Sequence, residues 1–277
     1  MKNLSFTKMS GAGNDFIVID APKEKLDLKK LAIKACDRSN GIGGDGLLVL
    51  NKSKESDYKM RIINADGSEA EMCGNGARCM AAYIVLNRKP KKKLFSMETL
   101  AGEVLAEAKG ETAIVRLSNP KDYNPSITIK VNDRDLHVTY IDTGVPHTIV
   151  FVDQLPGIDV KTLGSIIRNH QQFKPRGTNV NFVEQIDAGL VAARTYERGV
   201  EDETKACGTG SVASAIVSYL KANPLVSSMK KCQMKVKTTG GEILEVTFDL
   251  HGDQITNVWL KGSARFIAKG EYFLNKI

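Results

Sequence analysis

Apolar residues along this chain come mostly in short runs, separated by Gly, Asn, Asp and Pro. Runs of four to six bounded by turn formers predict strands rather than helices. In the first half they fall at residues 16–19, 47–50, 60–63 and 113–117. In the second half they fall at 137–141, 148–152, 180–183, 191–195, 235–238 and 243–248. Two stretches keep another period. Ala77, Met80, Ala81, Ile84 and Val85 recur at i, i+3, i+4, i+7 and i+8, and so do Val212, Ala215, Ile216, Tyr219 and Leu220. That spacing predicts two helices, each packed on one face.

The two helices belong to a longer internal repeat. Arg61, Asn64, an acidic loop and Cys73-Gly74-Asn75-Gly76 precede the first helix. Arg194, Glu197, an acidic loop and Cys207-Gly208-Thr209-Gly210 precede the second. Beyond the helices, Thr99 with Gly102-Glu103-Val104-Leu105 answers Thr238 with Gly241-Glu242-Ile243-Leu244. The copies lie about half a chain apart. We therefore expect an α/β (α+β) protein of two pseudo-symmetric lobes, each a mixed, mostly antiparallel sheet wrapped around a central helix. The boundary is expected near Asn119-Pro120, giving lobes of residues 1–118 with 263–277 and of residues 119–262.

Composition narrows the partners. A chain of 277 residues exceeds what one small core requires, which agrees with two lobes. With 42% hydrophobic and 26% charged residues it reads as a globular protein. No apolar run approaches the ~18 residues of a membrane span, and no signal-peptide pattern opens the chain, so the expectation is a cytoplasmic protein with no membrane partner. The formal charge of +7 is spread out as Lys, apart from Arg88-Lys89-Pro90-Lys91-Lys92-Lys93. That run has no interleaved aromatics and reads as a solvated loop, so no nucleic-acid partner is expected. Five cysteines without a Cys-x-x-Cys pair, beside only four histidines, argue against a disulfide framework and a structural zinc site.

Cys73 and Cys207 each stand at a predicted helix start. Glycine there leaves backbone N–H groups open, and the helix dipole favours an anion. The same field favours a thiolate. One cysteine on each side of a substrate carbon gives a base to remove a proton and an acid to return it on the other face. Fixed N–H dipoles aimed at a carboxylate in a dry site stabilise the carbanion-like transition state without metal or pyridoxal phosphate. A lone cysteine is more often a small buried hydrophobe, and Cys36, Cys79 and Cys232 are read that way. Chance duplication of the whole Arg-to-helix pattern is a poor explanation for Cys73 and Cys207.

The segments Lys8-Met9-Ser10-Gly11-Ala12-Gly13-Asn14-Asp15-Phe16, Asn64-Ala65-Asp66-Gly67-Ser68-Glu69, Met72-Cys73-Gly74-Asn75-Gly76-Ala77-Arg78-Cys79, Pro146-His147 and Tyr196-Glu197-Arg198-Gly199, then Ala206-Cys207-Gly208-Thr209-Gly210, occur in order. Together they resemble the diaminopimelate epimerase family. The resemblance implies two lobes with the site between them. It implies cofactor-independent interconversion of LL- and meso-diaminopimelate, on the route to lysine and peptidoglycan precursors, by a homodimer. It makes Cys73 and Cys207 the acid/base pair, with His147 and Glu197 tuning the thiols. Gly74, Asn75, Gly208 and Thr209 would hold the reacting carboxylate. Asn14, Asn64, Asn179, Glu197 and Arg198 would read the ammonium groups and the distal carboxylate, for which a planar Arg fork is suited. No metal and no cofactor are implied.

The chain departs from the usual pattern at Val145, where many members have Asn, and at Gly46, where some have Gln. Its loop from Glu197 to Cys207 is one residue longer. The first two changes remove polar side chains near the substrate and leave the thiol chemistry alone. The nearest alternative is thus an amino-acid racemase or epimerase of altered or broad specificity, with proline racemase-like chemistry. Nucleotide binding is a remoter one, since residues 11–14 and 41–46 are glycine-rich but lack dinucleotide-binding spacing. A thiol-redox protein is the third.

Overall fold

The computed structural model describes residues 3–22, 26–223 and 229–274. The chain divides into two compact units, Met1–Arg116 with Lys261–Ile277, and Leu117–Leu260. The outermost residues of the first unit, 1–2 and 275–277, lie outside the described residues.

The first unit runs β1 (Asn3–Gly11), β2 (Asn14–Asp20), α1 (Leu28–Cys36), β3 (Gly46–Asn51), β4 (Tyr58–Asn64), β5 (Glu69–Ala70), α2 (Gly74–Arg88), β6 (Phe95–Thr99), β7 (Gly102–Lys109) and β8 (Thr112–Arg116). The second runs β9 (Lys121–Val131), β10 (Arg134–Asp142), β11 (Pro146–Phe151), α3 (Val160–Arg168), β12 (Asn179–Asp187), β13 (Leu190–Glu197), β14 (Asp202–Thr204), α4 (Gly208–Ala222), β15 (Lys230–Thr238) and β16 (Ile243–His251). β17 (Gln254–Ser263) carries the chain out of the second unit. β18 (Arg265–Phe273) then pairs antiparallel with β1.

Strand pairing repeats step by step. β1 and β2 pair antiparallel, and so do β10 and β11. A helical crossover then joins a parallel pair, β2 to β3 through α1 and β11 to β12 through α3. Antiparallel returns follow, β3–β4–β5 and β12–β13–β14. Past the second helix of each unit the chain re-enters parallel to the same strand, β6 on β4 and β15 on β13.

Parallel pairs with helices on both faces explain the unbroken apolar runs. Ile17, Ile19, Leu47, Val49 and Ile63 pack against Leu31, Ala32, Ala35 and Cys36 of α1. Their neighbours Phe16, Val18, Leu48 and Leu50 are buried too, on the opposite side, since successive side chains alternate across a strand. In the second unit Val150, Val180, Phe182 and Tyr196 pack with Val160 and Ile167 of α3.

One expectation is corrected. α2 and α4 are not packed on a single face. Every residue from Gly74 to Ile84 is buried, as are Gly208 and all positions from Gly210 to Tyr219. α2 packs on β1, β2, β3, β4, β7 and β8, and α4 on β10, β11, β12, β13, β15 and β16. Their second faces are lined by Gly, Ala, Ser and Cys, which are too small to add to an apolar stripe but allow strands to close around the helix.

Candidate functional site

Each of the four α-helices among the described residues begins with a side-chain cap. α1 and α3 use Asp27 and Asp159, which accept from Lys30 N at 3.1 Å and Thr162 N at 3.0 Å. Aspartate is a preferred residue there. α2 and α4 use cysteine instead. Cys73 and Cys207 hold extended backbones (φ −145° and −108°), and each Sγ accepts from the backbone N–H three residues on, Gly76 and Gly210, both at 3.4 Å. The sulfurs thus sit where orphan N–H groups and the helix dipole concentrate positive potential.

The loops that deliver these cysteines are clamped alike. Arg61 Nε and Nη2 donate to the two carboxylate oxygens of Glu69 at 2.7 and 2.8 Å. Arg194 does the same to Glu203 at 2.9 and 2.7 Å. Such forked bonds fix direction as well as distance. The repeated arginine is therefore a clamp on the hairpin ahead of each cysteine.

Behind Cys73 lies a directed chain of amides. Arg78, on α2, has 0% of its surface exposed. It donates to Gly74 O at 3.2 Å, Asn75 Oδ1 at 2.7 Å and Ser263 O at 3.4 Å. Asn75 Nδ2 donates to Asn14 Oδ1 at 2.7 Å, and Asn14 Nδ2 to Asp45 Oδ2 at 2.9 Å. A guanidinium only donates and a carboxylate only accepts, so these two ends set both amide orientations. Nearby, burial pushes Asp15 up, but hydrogen bonds from Arg38 and Lys8 outweigh it and hold the carboxyl down at about 2. Arg38 also reaches Asp45 at 2.7 Å. Asn64 stands apart from this chain, its Nδ2 donating to Ser68 Oγ at 2.9 Å within its own turn.

Behind Cys207 the wiring differs. His147, with 0% exposure, places Nε2 2.9 Å from Thr209 Oγ1, which lies 3.5 Å from Cys207 Sγ. Burial, helped by the positive charge of Arg198, pushes the imidazole down to about 3. Asn179 donates to Pro146 O at 2.9 Å and accepts from Arg198 N at 2.8 Å, tying β11, β12 and the turn after β13 together. The Arg198 guanidinium donates to Arg176 O at 2.9 Å. Burial raises the Glu197 carboxyl. Cys36, Cys79 and Cys232 are buried in their layers, and burial pushes the Cys36 thiol up to about 11.

The first unit thus brings together Cys73, Gly74, Asn75 and Asn14. The second brings together Cys207, Gly208, Thr209 and His147, and separately joins Asn179 to Arg198. Among the described residues no group of His, Cys, Asp and Glu has the arrangement of a metal site, and no helix is long and apolar enough to cross a membrane.

The sequence profile of diaminopimelate epimerase matches residues 6–121 and 139–267. The diaminopimelate epimerase of Aquifex aeolicus is 40% identical over 280 residues, covering 96% of this chain and 97% of its own. That of Caldanaerobacter subterraneus is 44% identical over 234 residues, covering 78% and 84%. The chain belongs to the diaminopimelate epimerase family. The fold recurs in solved structures of low identity. A Bacillus anthracis phenazine biosynthesis protein of the PhzF family superposes with a TM-score of 0.73 at 18% identity, over 99% of this chain and 100% of that one. A hydroxyproline epimerase from Agrobacterium vitis does so with a TM-score of 0.70 at 15% identity, over 98% and 93%. These likenesses show the fold alone.

Sequence reasoning passed over Arg78, Asp45 and Asn181, which bond Asn75, Asn14 and His147, and Thr195, which bonds Asn181. A signal existed for two of them. Arg78 interrupts the apolar helix after Cys73, and Asn181 interrupts the apolar run of β12. A polar group inside a buried element needs a partner.

Proposed function

We propose that the chain interconverts LL- and meso-2,6-diaminopimelate by transferring a proton at the α-carbon between Cys73 and Cys207, without metal or organic cofactor. The observation that carries this reading is the doubled cap: two cysteines, each in place of a helix-capping residue, each with its sulfur held by the N–H three residues on. A structural thiol has no reason to occupy that position twice. A base and an acid that must exchange roles with reaction direction have a good one.

In this scheme one thiolate removes the α-proton and the other thiol delivers a proton to the opposite face. The N-terminal N–H groups of α2 and α4 hold the reacting carboxylate as charge builds on it. Asn14, Asn64, Asn75, Asn179, Glu197 and Arg198 bind the ammonium groups and the far carboxylate, and His147 and Glu197 shape the surroundings of the thiols. We further propose a cytoplasmic homodimer that supplies precursors of lysine and peptidoglycan, as the family resemblance implies.

The test is incubation of reduced protein with LL-diaminopimelate in D2O, without added metal or pyridoxal phosphate. Meso product carrying α-deuterium is expected. Folded, reduced protein that yields neither product nor exchange overturns the reading.

A further inference from the structure

Asn181 lies on β12 with 0% exposure. Its Nδ2 is 3.3 Å from Thr148 O and 3.0 Å from His147 Nδ1, and its Oδ1 accepts from Thr195 Oγ1 at 2.9 Å. A backbone carbonyl can only accept, so the Nδ2 side must face Thr148 and, with it, His147. Its two hydrogens serve these two acceptors. His147 Nδ1 is then an acceptor and carries no proton. In a neutral imidazole the proton must sit on Nε2, which donates to Thr209 Oγ1. With that oxygen already accepting, the Thr209 hydroxyl hydrogen is left for its other neighbour, Cys207 Sγ.

We propose that Asn181 is a positioning residue that locks His147 in the Nε2–H tautomer and so makes Thr209 a hydrogen-bond donor to Cys207 Sγ. The donated bond stabilises the thiolate of Cys207 over its thiol. Asn75, the residue matching Thr209, turns its amide to Asn14 and Arg78 instead. The lock on His147 deepens the role proposed above for Cys207, but its test requires no substrate.

The first experiment is ¹⁵N NMR of the histidine side chains of the full chain, with the His147 signals assigned by their loss in His147→Gln. An Nε2–H, unprotonated Nδ1 tautomer is expected, and an Nδ1–H tautomer overturns the proposal. The second measures iodoacetamide alkylation at neutral pH in a Cys73→Ala background, read by mass spectrometry on the peptide that carries Cys207. Thr209→Val should slow it about tenfold, the effect of one lost hydrogen bond to a charged group, and Thr209→Ser should restore it. Equal rates in all three proteins overturn the proposal. Inactivity toward diaminopimelate with the expected tautomer and rates would instead count against the proposed substrate alone.

Discussion

A Cβ on Gly210 would lie 2.4 Å from Asn181 Oδ1. The second glycine of the Cys-Gly-x-Gly segment is thus required by a buried amide that cannot retreat, since Thr148, His147 and Thr195 hold it. The matching Cβ on Gly76 would meet the Leu48 Cδ2 methyl at 3.1 Å, the end of a side chain that can rotate. Gly210→Ala should cost about 1–3 kcal/mol through overpacking. Gly76→Ala should cost less than ~1 kcal/mol, as the gain in helix propensity offsets the contact. Urea unfolding of both variants checks the order, and equal costs would mean that Asn181 adapts.

Arg78 should be the more demanding buried residue in the first unit. Arg78→Met fills similar volume but leaves Asn75 Oδ1, Gly74 O and Ser263 O without this donor. A loss of about 2–4 kcal/mol is expected, since each buried acceptor left unmatched costs ~1–3 kcal/mol and some will find water. The KM for substrate should rise more than kcat falls if Asn14 and Asn75 bind substrate, because their amides lose the end that orients them. An unchanged KM in folded protein would separate them from binding.

Serine is a better helix cap than cysteine. Cys73→Ser and Cys207→Ser should therefore leave stability unchanged or raise it by up to ~1 kcal/mol, while abolishing inversion. Thermal melts beside the D2O assay read the two effects on one sample. A serine variant that keeps full activity would remove that cysteine from the acid/base pair.

His147 gives stability a definite pH dependence. Folded, its imidazole stays neutral down to about 3; unfolded, it takes up a proton near its ordinary value of about 6.5. Between these values the unfolded state binds the extra proton, so the contribution present above pH ~6.5 is lost progressively as pH falls. One proton corresponds to about 1.4 kcal/mol per pH unit. Unfolding free energies of His147→Gln should show a slope shallower by about this amount between pH ~4 and ~6. An unaltered slope would assign the proton uptake to other groups.

Much of this was legible in the chain. Apolar runs bounded by turn formers marked strands, because β2, β3, β11 and β12 are covered on both faces and cannot afford polar positions outside the wiring. The doubled Cys-Gly-x-Gly marked both helix starts, since backbone exposure at an N-terminus demands small residues. β18 and α3 were not legible. β18 is exposed on one face and only half-buried on the other, where Phe266, Gly270 and Tyr272 lie, so burial imposes little apolar alternation on it. α3 spans only nine residues, too few for periodicity to stand out. The wiring of Arg78 and Asn181 depends on partners far away in sequence, such as Ser263 and Thr148, which local spacing does not reveal.

The amide chain behind Cys73 ends on a guanidinium that stays charged at any pH the protein survives, and the one behind Cys207 passes through an imidazole that burial keeps uncharged. Neither the Arg78 guanidinium nor the His147 imidazole changes its charge across the ordinary working range. The donors that orient these amides are in this sense electrically silent. Under the proposed chemistry, the limbs of a pH–rate profile then belong to the sulfurs and to Glu197, and the profile can be read as a titration of the reacting groups themselves.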